Sequence, residues 1–211
     1  MSRQKFFAVN RRRGFTLVEM LISLSIFAVV TAFATANFRV GQQGDELRLS
    51  ARNVASLIRR ARTQTVAGFS VNYCHGGADD GKLCPLDSGV TCIEGTCEDD
   101  IPPAYGINIS VAEGQEREVR IFADMNDNGR YDDGEAIRVD PISPGPFVSI
   151  TSVDPADGDA LDILFDPPKP TTKFNNDIAN TIATIELQHQ HTGNPATITV
   201  NRVSGLISVD D

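Results

Sequence analysis

From Phe15 to Phe38 the chain reads FTLVEMLISLSIFAVVTAFATANF, and Glu19 is its one charged side chain. A helix rises about 1.5 Å per residue and needs roughly 20 apolar residues to cross a bilayer core, so this run has membrane-spanning length. Residues 1–14 just before it carry Arg3, Lys5, Arg11, Arg12 and Arg13 and no acid. The positive-inside rule holds such a cluster in the cytoplasm, which predicts a single-pass inner-membrane protein whose residues beyond Phe38 are extracytoplasmic. A secretory signal peptide would have a shorter apolar core before a small-residue cleavage site, and the run is long for one despite Ala32, Ala34 and Ala36. An ordinary signal anchor has no use for a carboxylate five residues into its apolar segment. There a charge costs about 2.5–3.5 kcal/mol and marks a functional group. Glu19 needs a partner.

Immediately around that boundary, Arg11-Arg12-Arg13-Gly14 followed by Phe15-Thr16-Leu17-Val18-Glu19 resembles the processing site of type IV pilins and type II secretion pseudopilins. The resemblance implies cleavage between Gly14 and Phe15 by a membrane-embedded prepilin peptidase, N-methylation of Phe15, and a mature chain in which Glu19 is the fifth residue. Electrostatics agrees with it. A freed α-amino group, basic near pKa 8, is a suitable cation for a carboxylate of an adjacent subunit inside an apolar bundle. A buried pair of this kind adds little net stability but can set the register between subunits of a filament.

With 211 residues the chain has room for one modest globular unit besides this appendage. Loss of the five basic residues of 1–14 takes the formal charge from -9 to -14 (-9 - 5), a mature surface that repels nucleic acid and anionic lipid at long range. Beyond Asn37 a helix is expected to continue to residue 67, because Leu47, Ala51, Val54, Leu57, Ile58 and Ala61 recur at three- and four-residue spacing. Arg48, Arg52, Arg59 and Arg62 fall on other faces and read as solvated. Gly41 and Gly44 predict a flexible or locally unwound joint, and Gly68 ends the helical pattern. Short β-forming runs follow at 105–109, 118–122, 147–153, 184–187 and 197–200. The division is thus a leader at 1–14, an N-terminal helix at 15–67, and a β-rich head at 68–211. The fold class is α+β, with the long hydrophobic helix packed on an antiparallel sheet, which is the pilin fold that the resemblance implies.

Three further segments resemble the minor pseudopilin and minor pilin group called GspH/FimT. They are the helical stretch Leu49 to Arg62, the acidic turn Asp124 to Glu135 after a strand, and the closing hairpin Ile198 to Ile207. Some pilus-side members bind DNA through arginines at that hairpin; here only Arg202 stands there, beside Asp210 and Asp211, which disfavours DNA as a partner. Natural transformation through DNA binding remains the alternative function. The expected partners are prepilin peptidase, other pilin or pseudopilin subunits and the inner membrane.

The four cysteines, Cys74, Cys84, Cys92 and Cys97, lie in a Gly- and Asp-rich loop at 74–100 with too few apolar residues to hold its own shape. In an exported head two disulfides are the leading reading, with neighbours joined, Cys74 to Cys84 and Cys92 to Cys97. Spacing alone does not choose among the three pairings, and zinc is the rival, although no Cys-x-x-Cys pair is present. A membrane-anchored hydrolase has poor raw material. His75 sits beside a cysteine, His189 and His191 read as an exposed strand face, and there is neither a Gly-x-Ser-x-Gly motif nor a phosphate loop. No enzyme activity is expected.

One motif points to a cofactor. Residues 124–135, DMNDNGRYDDGE, fit the EF-hand calcium loop: Asp124, Asn126, Asn128, Asp132 and Glu135 fill positions 1, 3, 5, 9 and 12, and Arg130 offers its carbonyl at position 7. Gly129 takes the turn at position 6. The flanks read as strand on the entering side and extended chain on the other, so the loop is expected to be strand-borne. The competing reading is a plain Asp/Asn/Gly turn.

Overall fold

A computed structural model describes residues 15–84, 92–143, 146–167, 171–191, 193 and 195–210, with the backbone alone of 35–40. The leader 1–14, with Gly14, and Asp211 lie outside the described residues. Two compact units divide the chain, Met1–Gly41 and Gln42–Asp211. Helix α1, Leu17–Ala67, begins in the first and ends in the second.

In the first unit the window Leu17–Ala34 has mean hydropathy 2.2 and none of it is buried. Its few hydroxyls are turned inward: Ser23 and Ser25 donate to the carbonyls of Glu19 and Leu21 at 2.8 Å, and Thr31 donates to Phe27. Satisfying polar atoms within the helix is what a hydrocarbon environment demands.

The helix does not unwind at Gly41 and Gly44, so of the flexible or locally unwound joint expected from sequence the unwound form is absent. Each glycine costs about 1 kcal/mol relative to Ala but keeps its N–H, so the backbone ladder continues. In the second unit Leu47, Ala51, Val54, Ala55, Leu57, Ile58 and Ala61 form one buried face. The helix stops at Gly68, whose φ of 59° lets its N–H reach Thr65 O while Phe69 N–H reaches Gln64 O, a Schellman closure.

Eleven strands follow among the described residues. A five-stranded sheet has the order β5-β4-β3-β7-β8: Ala136–Pro141, Glu118–Asp124, Ala104–Ser110, Ala160–Asp166 and Thr171–Phe174. A four-stranded sheet has the order β11-β10-β9-β6: Ile207–Asp210, Pro195–Asn201, Ile182–His189 and Val148–Asp154. All neighbours run antiparallel. The buried helix face shares one hydrophobic cluster with Ile107, Ile121 and Ile163 of the first sheet and Ile150, Ile185 and Ile198 of the second. Side chains then fix the helix to strand ends. Asn53 donates to the carbonyls of Pro141 and Ile142 (3.2 and 3.3 Å), Arg59 to Ile207 O (3.1 Å) and Arg62 to Gly205 O (3.0 Å). The last two arginines are therefore tethers as well as a polar face. The closing hairpin is β10–β11, as expected.

The remaining strands, β1 (Val71–His75) and β2 (Thr96–Asp100), form a two-stranded ribbon. Its disulfides are Cys74–Cys92 and Cys84–Cys97, with Cα separations of 5.5 and 6.1 Å. This corrects the neighbour pairing expected from sequence. The chain returns along β1 through the Tyr73–Leu83 bridge, while β2 pairs with β1 in a register that sets Cys97 opposite Cys74. Cys84 is thereby carried to Cys97, and Cys92 to Cys74. The sulfurs of Cys74, Cys84 and Cys92 lie within 4.8 Å of one another, but as disulfides they offer no thiolate to zinc.

Candidate functional site

At the start of α1, Thr16 precedes the first helical residue and Glu19 occupies the third helical position. The Glu19 N–H approaches Thr16 Oγ1 at 3.3 Å, and Glu19 Oε2 accepts from Thr16 N–H and Oγ1–H at 3.4 Å. These long bonds make a reciprocal capping box, which ties down donors that a helix start leaves open. Reading Glu19 only as a charge in search of a partner missed this, although the signal, Thr-x-x-Glu ahead of an apolar run, is in the sequence. Phe15 lies just outside the helix and is exposed.

The second cluster is the β4–β5 connection. A register shift between Ile121 and Phe122 bends β4, and Ala123 N–H donates to Glu135 O (3.1 Å), closing the base of the loop. Strands flank it on both sides, and the EF-hand helices have no counterpart. At position 1, Asp124 is buried; its Oδ1 accepts from Asn128 N–H (3.2 Å) and Oδ2 from Gly129 N–H (2.8 Å). Asn126 Oδ1 accepts from Asn128 N–H (3.0 Å), and Asn128 Oδ1 from Arg130 N–H (2.8 Å). Asp132 Oδ2 receives the side-chain amides of Asn126 and Asn128 at 2.8 and 2.6 Å. Gly129 sits at φ 73°, a left-handed conformation, with the Asn176 side chain where a Cβ would fall.

Glu135, at position 12, is 2 % exposed. Its Oε2 accepts from Asp132 N–H (3.0 Å), whereas buried Oε1 accepts no hydrogen bond. The Met125 amide also favours the charged carboxylate without reaching hydrogen-bond geometry. Burial pushes the carboxyl up to about 7, and the charges of Asp124 and Asp132 add to the effect. Burial also raises Asp124, against the pull of the Gly129 and Asn128 amides.

Distant residues hold the loop in place. Tyr131 N–H donates to Asp162 Oδ2 (3.2 Å), Asp162 Oδ1 accepts from Asn108, and Asn176 Nδ2 donates to Asn128 O (3.0 Å). The Tyr131 ring meets Phe122 edge-on at 5.5 Å, covering the outer face of the five-stranded sheet, and Arg130 pairs with Asp157. Asp162, Asn108 and Asn176 carry no local signal in the sequence.

His75 stands apart from His189 and His191, whose ring centroids lie 5.5 Å apart. His75 ends β1 and is exposed, while His189 is 2 % exposed with Nε2 3.6 Å from Glu46 Oε2. His189 thus departs from the exposed strand face expected of it, because it closes β9 beneath Phe147, and exposed His191 lies in the turn beyond.

The sequence model of a family described as the prokaryotic N-terminal methylation motif matches residues 9–35. No curated protein and no solved structure matches the chain. The motif match supports a type IV pilin-like prepilin, a substrate of prepilin peptidase that assembles with other pilin subunits. Pilin-like members of that family are structural subunits.

Proposed function

We propose that the chain is a minor filament subunit of the GspH/FimT group, serving a type II secretion pseudopilus or a type IV pilus. It enters the inner membrane with its N-terminus cytoplasmic, loses residues 1–14 after Gly14, and is drawn into the filament by packing of its N-terminal helix. The head stays extracytoplasmic. The observation that carries this reading is the motif match at 9–35 coinciding with an unburied apolar helical segment, Leu17–Ala34, whose single carboxylate is Glu19. The hairpin β10–β11, tethered to the helix by Arg59 and Arg62, supports the GspH/FimT placement.

In the filament the methylated Phe15 amine pairs with Glu19 of a neighbouring subunit, while the apolar surface of each helix packs on others. Glu19 then serves as the cap of its own helix and as the register mark of the assembly. The two roles separate by substitution. Glu19→Gln keeps a capping-box acceptor and removes the charge; Glu19→Ala removes both. Both variants are expected to lose the leader normally, seen as a peptidase-dependent mobility shift, and both to be missing from purified filaments. Incorporation of Glu19→Gln at the wild-type level, with Glu19→Ala excluded, would reduce Glu19 to a helix cap.

A further inference from the structure

We propose that the loop from Asp124 to Glu135 binds one calcium ion through side-chain oxygens of Asp124, Asn126, Asn128 and Glu135 and the carbonyl of Arg130, with Asp132 acting through a water. The observation that points to a ligand is Glu135 Oε1. It belongs to a side chain 2 % exposed, it accepts no hydrogen bond, and its sister oxygen is held 3.0 Å from the amide of Asp132, a residue of the loop itself. A buried carboxylate oxygen without a donor is costly, and native proteins rarely leave one so.

The other donors are compatible with the same ion. Asn126 Oδ1 and Asn128 Oδ1 each accept a single backbone N–H, leaving a second lone pair. Asp132 is occupied by two amides and stands at position 9, where the template commonly interposes water. Only two carboxylates, at positions 1 and 12, need then approach the ion directly. Five carboxylates and one arginine within the twelve residues supply the local field. A set of all-oxygen ligands with a bidentate glutamate suits calcium, which accepts 6–8 oxygens in flexible geometry; magnesium demands an octahedron and gives up water reluctantly. With asparagine at positions 3 and 5 the site falls in the weak range of extracellular modules, a Kd on the order of 10⁻⁴–10⁻³ M. None of this depends on whether the chain enters a filament.

The test uses the full chain after leader removal, in detergent, with its disulfides intact. Melting is followed in EGTA, in calcium and in magnesium, and calcium binding by titration calorimetry. Calcium at a hundred times its Kd is expected to raise Tm by about 5–10 °C, magnesium to leave it unchanged, and the calorimetric stoichiometry to be one. Glu135→Gln is expected to fold and to lose both the shift and the heat; Asp124→Ala with Glu135→Ala should do the same. Glu135→Gln decides the matter if the double variant fails to fold. Identical wild-type melting in calcium and EGTA, an equal rise with magnesium, or a rise retained by Glu135→Gln would each overturn the assignment.

Discussion

Gly106 illustrates how one residue is fixed by its neighbours. It lies in β3 opposite Phe122 of β4, and the Phe122 ring occupies the space a Cβ would take. Tyr131 in turn rests on that ring. Gly106→Ala must therefore displace two aromatics in edge contact, and overpacking of this kind costs about 1–3 kcal/mol. A urea midpoint indistinguishable from wild type would show that the rings can yield. Legibility at this scale followed chemical oddity. Glu19 was plain because a charge in an apolar run is expensive, and Glu135 because a twelve-residue template fixes its place. Asp162 and Asn176 were not, since they reach the loop from β7 and from the turn after β8, 27 and 41 positions beyond Glu135 (162 - 135 and 176 - 135), and only the tertiary fold brings them there.

Among the elements, those with strong alternation were readable: the five runs taken as strands fall on β3, β4, β6, β9 and β10, apart from Phe147 at the edge of its run. Their buried faces meet one core, so pattern and packing agree. The ribbon is the opposite case. Every residue of β2 is exposed, and its sequence, TCEDD, holds no apolar face from which a strand could be read. A two-stranded sheet is at best marginal in water, and the disulfides tie each strand to the connection between them, Cys74 of β1 to Cys92 and Cys97 of β2 to Cys84. Reduction is therefore expected to release the ribbon and leave the two larger sheets folded. In hydrogen exchange after reduction, the amides of β1 and β2 should exchange freely while those of β3, β4, β9 and β10 stay protected. Protection of the ribbon at its oxidised level would assign its stability to packing instead.

For the molecule as a whole, the division legible in the sequence was an apolar N-terminal segment and a β-rich head, and both are present. A helix over 15–67 was legible, but its lack of unwinding at Gly41 and Gly44 was not, because a per-residue propensity says what a glycine costs and not what its neighbours contribute. Nor was the cysteine pairing, which depends on strand register. That pairing has a consequence for covalent continuity. The bonds 74–92 and 84–97 are interleaved, so every peptide bond from Cys74 to Cys97 is spanned by at least one of them, and those from Cys84 to Cys92 by both. Joined as neighbours, the same cysteines would leave the stretch between Cys84 and Cys92 unspanned. Cleavage on the N-terminal side of Asp87 by an aspartate-specific protease, in protein left uncut elsewhere, should therefore leave a single band without reductant and two bands with it. A head built this way can be nicked between Cys84 and Cys92 and stay in one covalent piece.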